Sequence, residues 1–266
     1  MQPMANMALR AARQAVSKIT QAFDRPDLIR VSSKGQNDYV TNIDKDVQYI
    51  IIRELKNAYP DHSFRGEEDQ SNLNNPESDY EWIIDPIDGT TNFVHNVPHF
   101  CISIACLNKG KVEHGVILDP MRQEEFVASK GKGCNVNGHR ARCGDKNSLL
   151  GALIGTGGAE PEFAAQQGDV YQRMLAENAT VRSAGSAALD LAYVATGRMD
   201  GVWFKDLNIW DMAAGALMIQ ETGGLLGDFN GGAGHMQSGN IVAGSPKVFK
   251  ALAPIVKKSF AQTSND

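Results

Sequence analysis

The chain has 266 residues, with 26 Lys and Arg against 31 Asp and Glu, a net charge of −5 with histidine neutral. At 42% hydrophobic and 21% charged residues, its composition is that of a folded globular protein and excludes disorder as a description of the whole. The mild acidity argues against a protein that coats nucleic acid by charge, and no apolar run approaches the roughly 20 residues needed to cross a bilayer.

Cys101, Cys106, Cys134 and Cys143 show no C-x-x-C spacing, which supports neither a zinc ribbon nor a dithiol redox motif. Arg10, Arg13 and Lys18 interrupt the first 22 residues, which therefore lack the apolar centre of a signal peptide. A cytoplasmic protein without a disulfide framework is expected.

Met4, Met7, Ala8, Ala11, Ala15, Ile19 and Ala22 share one helical stripe and predict an amphipathic first helix. A polar stretch over 32–37 leads to a second helix starting at Thr41 or Asn42, with Ile43, Val47, Ile51 and Leu55 on its buried face and Pro60 closing it. From about residue 81 the pattern changes to short strands: Trp82–Ile84, Cys101–Leu107, Val112–Leu118 and Glu125–Ala128, with turns at Asn108-Lys109-Gly110 and Asn137-Gly138. The second half alternates a strand over Leu149–Gly155, helices over 161–177 and 186–196, a strand over 199–204 and a helix over 210–222. Strands at Leu225–Asp228 and Ile241–Ala243 precede a last helix over 246–258, with a frayed tail from Ser259. This order predicts a layered α/β or α+β architecture with a domain boundary near 145–150.

The most informative stretch is Glu81-Trp-Ile-Ile-Asp85-Pro-Ile-Asp88-Gly89-Thr90-Thr91-Asn92. A buried apolar strand ends in two carboxylates, with Pro86 fixing φ and Gly89 permitting tight backbone geometry. Asp85 and Asp88 can then face one small volume, where like charges repel unless a cation, a proton or a basic group lies between them. Hard oxygen ligands suit Mg²⁺ or Mn²⁺. Taken alone, Asp-Pro and Asp-Gly are also ordinary turn formers. Asp211, at the start of an apolar helix, and Asp38 and Asp44, flanking the second helix, have equally ordinary readings as helix caps.

Further segments bear on that choice. Gly66-Glu67-Glu68, the Trp82–Phe93 stretch and Trp210-Asp211-Met212-Ala213-Ala214-Gly215 resemble the three signature motifs of the inositol monophosphatase family. The likeness continues through Lys34-Gly35, Asp38, Val40-Thr41, Asp44, Arg182-Ser183, Gly185-Ser186-Ala187-Ala188 and Glu221-Thr222-Gly223-Gly224, in the family's order and over nearly the whole chain.

The resemblance implies a layered αβαβα sandwich of the sugar-phosphatase type. An α+β half over 1–147 would carry Glu67, Asp85 and Asp88, and an α/β half over 148–266 would carry Asp211. It implies hydrolysis of inositol 1-phosphate or another small phosphate monoester with two or three Mg²⁺, Mn²⁺ being an alternative and Li⁺ an inhibitor. Glu67, Asp85 and the Ile87 carbonyl would hold one metal, and Asp85, Asp88 and Asp211 a second. Thr90, paired with Asp44, would position and help deprotonate the attacking water, with Glu67 beside it. The Gly89 and Thr90 amides would bind phosphate. Asp88, Arg182, Gly185, Ser186, Ala187 and Asp211 would line the alcohol portion, with Lys34 and Asp38 in support.

One departure concerns specificity. The family has a Glu for inositol hydroxyls where this chain has Phe204, which accepts no hydrogen bond, and Asp206 is the nearest substitute. A sugar phosphate or a 3′-phosphoadenosine compound is therefore an alternative substrate. The family further implies a homodimer, and one branch acts in transcription antitermination with Nus factors and RNA polymerase during ribosomal RNA synthesis. Gly155-Thr156-Gly157-Gly158 lacks the Lys-Ser/Thr of a P-loop. His95 and His99 complete no zinc pattern and read as structural or surface groups.

Overall fold

The computed structural model describes residues 2–35, 38–68, 74–158 and 161–261, with the backbone alone at 33–35, 38 and 39. The chain opens with α1 (Pro3–Asp24), the hairpin β1 (Val31–Gly35) and β2 (Asp38–Thr41), and α2 (Asn42–Ala58). Thr41 caps α2: its hydroxyl accepts the Ile43 and Asp44 amides at 3.1 and 3.4 Å, while Asp44 Oδ2 accepts the Thr41 amide at 2.8 Å. This reciprocal box satisfies amides that the first helical turn would otherwise leave unpaired.

A seven-stranded sheet follows, with its strands in sequence order: β3 (Ser63–Gly66), β4 (Tyr80–Asp88), β5 (Cys101–Asn108), β6 (Lys111–Asp119), β7 (Glu124–Ser129), β8 (Gly133–Val136) and β9 (His139–Arg140). β3 runs parallel to β4 and every later pair is antiparallel. The short α3 (Thr90–Val94) leaves the end of β4.

The second sheet has five strands: β10 (Leu153–Thr156), β11 (Thr180–Arg182), β12 (Gly201–Phe204), β13 (Leu225–Gly227) and β14 (Ile241–Gly244), in the order β11-β10-β12-β14-β13. Between them come α4 (Ala164–Ala176), α5 (Ala187–Ala195), α6 (Ile209–Thr222) and the short α7 (His235–Ser238), and α8 (Pro246–Ala261) follows.

Three apolar cores fix the layers. Ala8, Ile19, Val47 and Leu55 pack α1 and α2 on the face of the large sheet that carries Trp82 and Ile84. Ile83, Ile117, Leu191, Met212, Leu217 and Val202 join the opposite face of that sheet, through α5 and α6, to the five-stranded sheet. Ile154, Trp203, Val170, Met174 and Leu252 pack the outer face of the second sheet against α4 and α8. The result is an αβαβα sandwich, in which each sheet is buried on both faces.

The strand expected over Leu149–Gly155 is confined to β10, because residues 148–151 bend and turn before it. β11 has no counterpart in the sequence pattern; it is a three-residue edge strand whose side chains give no periodic signal. Of the tail expected to be frayed, residues 259–261 are helical, and 262–266 lie outside the described residues. α8 continues to Ala261, and the buried Ser259 hydroxyl lies 2.6 Å from Asp169 Oδ2 and 3.0 Å from the Ile255 carbonyl.

Candidate metal centre

Alternation along β4 sends Trp82 and Ile84 toward α1 and α2, and Ile83 and Asp85 toward α6. Residues at i and i+3 of a regular strand point to opposite faces, so Asp88 would ordinarily face away from Asp85. The register with β5 resolves this: Asp85 pairs with Ser103 and Asp88 with Cys101, so β4 spends one residue more than its partner across the same step. This β-bulge at Pro86-Ile87 turns Asp88 back to the α6 side and leaves Ile87 on the α1 and α2 side. Proline in an interior strand is itself a sign of a bulge, since it cannot donate to the ladder.

Asp211 arrives from the second half of the chain, in the first turn of α6. There it closes a capping box with Asn208, whose amide donates to Asp211 Oδ2 at 2.8 Å. Asp85 Oδ1 accepts the Ile87 amide at 3.0 Å. Asp88 Oδ2 accepts the Ser186 hydroxyl and, at 2.9 Å, the Ala188 amide at the start of α5. Each carboxylate thus has one oxygen fixed by the chain. Asp85, Asp88 and Asp211 each offer an oxygen within 4.8 Å of the other two, and the three could hold a metal ion.

The electrostatics favour a cation. Burial, then the charges of Glu67, Asp88 and Asp211, hold the Asp85 carboxyl well above the usual carboxylate range. Burial also raises Asp88, against the opposing hydrogen bonds from Ser186 and Ala188. Asp211 is raised well above its ordinary value by burial and then by Asp88. Three close carboxylates, Asp85 and Asp88 buried and Asp211 part-buried, are hard oxygen donors whose mutual repulsion a cation offsets, so the donor set fits a divalent ion of the Mg²⁺ type.

Glu67 follows β3, its amide donating to the Ile84 carbonyl at 3.1 Å, one residue from Asp85. Gln48 of α2 supports this turn through its Oε1, which accepts the Glu68 amide at 3.0 Å. A β-carbon on Gly66 would lie 2.1 Å from that same oxygen, so a larger residue before the two glutamates would have to displace the Gln48 amide that holds the turn. Nothing in the sequence pattern singles out Gln48, since its signal is three-dimensional.

Thr90 Oγ1 donates to the Ile87 carbonyl at 3.0 Å and faces Asp44 Oδ1 at 3.4 Å. Burial pushes the Asp44 carboxyl up to about 6, with the Thr41 hydrogen bonds opposing it. Gly89, at φ 98°, makes the left-handed turn into α3. Arg182 is exposed and donates to the Val181 carbonyl at 3.1 Å. Gly185 is exposed, while Ser186 and Ala187 are buried beside Asp88. The side chains of Lys34 and Asp38 lie outside those described.

Phe204 is buried in the central core, and a β-carbon on Gly157 would stand 3.2 Å from its ring. Asp206 is exposed at φ 57° and pairs with Lys205. His95 is exposed, and His99 packs edge-on against Tyr193 at 6.2 Å between ring centroids.

The inositol monophosphatase family model matches residues 1–260. The chain is 49% identical over 262 residues to the Nus factor SuhB of Pseudomonas aeruginosa, covering 97% of each chain. Its fold is similar to that of the extragenic suppressor protein suhB of Bartonella henselae, with a TM-score of 0.94, 37% identity, and 97% and 99% of the two chains covered. The Thermotoga maritima IMPase matches with a TM-score of 0.88, 32% identity, and 97% and 98% coverage. With its signature acidic segments gathered at one centre and a family match spanning nearly its whole length, the chain belongs to the inositol monophosphatase family.

Proposed function

We propose that the protein is a Mg²⁺-dependent phosphatase of small phosphate monoesters, with inositol 1-phosphate as first-choice substrate. The observation that carries this reading is the convergence of Asp85, Asp88 and Asp211, from two distant parts of the chain, within 4.8 Å. Glu67 and the Ile87 carbonyl complete the proposed ligand set. When bound, Mg²⁺ supplies Lewis acidity, lowering the pKa of water and offsetting the charge on the leaving oxygen.

The chain's own groups do the rest. Thr90 Oγ1 orients the attacking water: its hydroxyl turns from the Ile87 carbonyl to Asp44 Oδ1, 3.4 Å away, and gives its proton to that carboxylate as it takes one from the water. A carboxyl raised to about 6 is a better base near neutral pH than an ordinary aspartate. The Gly89 and Thr90 amides hold the phosphate. Asp88 accepts an alcohol hydroxyl, while Arg182 and the Gly185-Ser186-Ala187 backbone border that alcohol, with Lys34 and Asp38 supporting the phosphate side. Phe204 offers no acceptor, and Asp206 is engaged with Lys205. Polyol recognition therefore rests on Asp88 and the 182–188 segment.

The division at 147/148 is supported by the seven-stranded sheet ending at Arg140 and the five-stranded sheet beginning at Leu153. A homodimer is the proposed assembly on the family resemblance. The test is Mg²⁺-dependent phosphate release from inositol 1-phosphate, fructose 1,6-bisphosphate and 3′-phosphoadenosine 5′-phosphate. Selective inositol-phosphate turnover supports the reading, and turnover of another member moves the specificity alone.

A second reading follows from the relative named a Nus factor: a regulator of ribosomal RNA transcription acting with RNA polymerase. A metal-site variant that still complements a null strain would assign the essential role to binding instead of turnover.

A further inference from the structure

The segment proposed to border the alcohol, 182–188, belongs to the second half of the chain, whereas Asp85, Asp88 and Thr90 belong to the first. What sets the gap between them is visible at Asn92, in α3. Its Nδ2 donates to the His99 carbonyl at 2.7 Å and to the Ala184 carbonyl at 2.8 Å, the second bond spanning 92 residues of sequence. An amide nitrogen has two hydrogens, so both are used.

The fit around that amide is close on both sides. Gly185 sits at φ 89°, and a β-carbon there would lie 2.8 Å from Asn92 Nδ2 and 3.1 Å from its Oδ1. Gly89 sits at φ 98°, and a β-carbon there would lie 3.0 Å from the Gly185 carbonyl and 3.1 Å from the His99 carbonyl. Two left-handed glycines, one from each half, therefore pack against each other, with the Asn92 amide as the polar link between their segments. The residue after Gly185 is Ser186, whose hydroxyl donates to Asp88.

We infer that Asn92 is a positioning residue. Its amide holds the Ala184–Ser186 backbone at the distance from the Asp85–Thr90 turn at which the alcohol portion of a phosphate monoester is gripped. The inference rests on the phosphatase reading above. The tie contacts no carboxylate itself, and of the three only Asp88 is bonded to the tied segment, through Ser186 and Ala188, so its loss falls first on substrate affinity and less on the chemical step. Asn92→Asp replaces the donor with an oxygen facing two carbonyl oxygens, and Asn92→Ala removes the donor without adding charge.

The experiment measures KM and kcat for inositol 1-phosphate in both variants at saturating Mg²⁺. It adds melting temperature and amide exchange over 183–188. Expected are a KM raised tenfold or more, a kcat within twofold of the parent, an unchanged Mg²⁺ requirement and faster exchange confined to 183–188, with Asn92→Asp the more affected. A lower melting temperature with unchanged KM would show a purely structural role and overturn the inference. So would unchanged exchange over 183–188 in a folded, active variant. A parent protein that hydrolyses no phosphate monoester would overturn the phosphatase reading first, and the positioning role with it.

Discussion

Asp190 of α5 and Gly155 of β10 share one closed space: a β-carbon on Gly155 would stand 2.8 Å from Asp190 Oδ2. Asp190 is wholly buried, and neither carboxylate oxygen has a hydrogen-bond partner among the described residues. Desolvation, with a smaller contribution from Asp88, pushes its carboxyl up to about 8. The folded state therefore holds this proton more tightly than the unfolded chain. The stability this lends is complete below about pH 4 and is lost as pH rises toward 8, by up to about 1.4 kcal/mol per pH unit. An asparagine side chain does not titrate, so Asp190→Asn should gain on the parent as pH rises. Urea unfolding at pH 5, 6.5 and 8 reads this directly, and a gap that stays constant with pH contradicts it.

The acidic centre makes a second prediction. Asp85, Asp88 and Asp211 are all raised by burial and mutual repulsion, so without a cation they retain protons that a bound ion displaces. Mg²⁺ should therefore raise the melting temperature, more at pH 8 than at pH 5.5, and chelation should reverse the gain. Saturation at a hundred times the dissociation constant stabilises by about 2.7 kcal/mol. Scanning calorimetry with and without millimolar Mg²⁺ tests this, and a melting temperature indifferent to the ion would remove the metal centre from the account.

His62 gives a pH effect of opposite sign. Its ring stacks between Tyr59 and Tyr80 at 4.8 Å from each, and its Nδ1 accepts the Trp82 indole N–H at 3.0 Å. The proton of the neutral ring therefore lies on Nε2, and a proton added at Nδ1 must break the indole bond. Burial lowers the imidazole below its usual value. The folded state binds fewer protons here, so this stability is present above the unfolded value near 6.5 and is lost as pH falls below it. A proton-resonance titration should place His62 below that value, with a change in Trp82 fluorescence at the same midpoint. A midpoint above it refutes the arrangement.

Much of the site was legible because its residues obey two sets of rules at once. Asp44 and Asp211 read as helix caps and also as members of an acidic constellation, and in the structure both sit in capping boxes. The Trp82–Ile84 run marked β4, and its alternation selected the face on which Asp85 lies. What the linear pattern concealed was the step between Asp85 and Asp88. Pro86 carried the signal of a bulge, but only the pairing with Ser103 and Cys101 shows which way Asp88 turns. Gln48 and Asp190 escaped, and Asn92 stood in the motif without a role, for a related reason: Glu68 lies 20 residues from Gln48, Ala184 lies 92 from Asn92, and Asp190 has no hydrogen-bond partner among the described residues. β11 and the last turn of α8 owe their order to the second sheet and to Asp169, not to local pattern.

The most direct test of a metal-centred mechanism is phosphate release from inositol 1-phosphate by the parent protein and by Asp88→Asn, each with Mg²⁺ and with chelator. The oxygen of an asparagine amide can still accept the Ser186 hydroxyl and the Ala188 amide, so the variant should fold, while the charged oxygen offered to the ion is gone. A metal-centred mechanism predicts turnover by the parent only with Mg²⁺, and a loss of about a thousandfold or more in a variant with a native melting profile, the scale at which removal of a principal catalytic electrostatic group registers. Full activity in folded Asp88→Asn, or parent turnover indifferent to chelator, would contradict it.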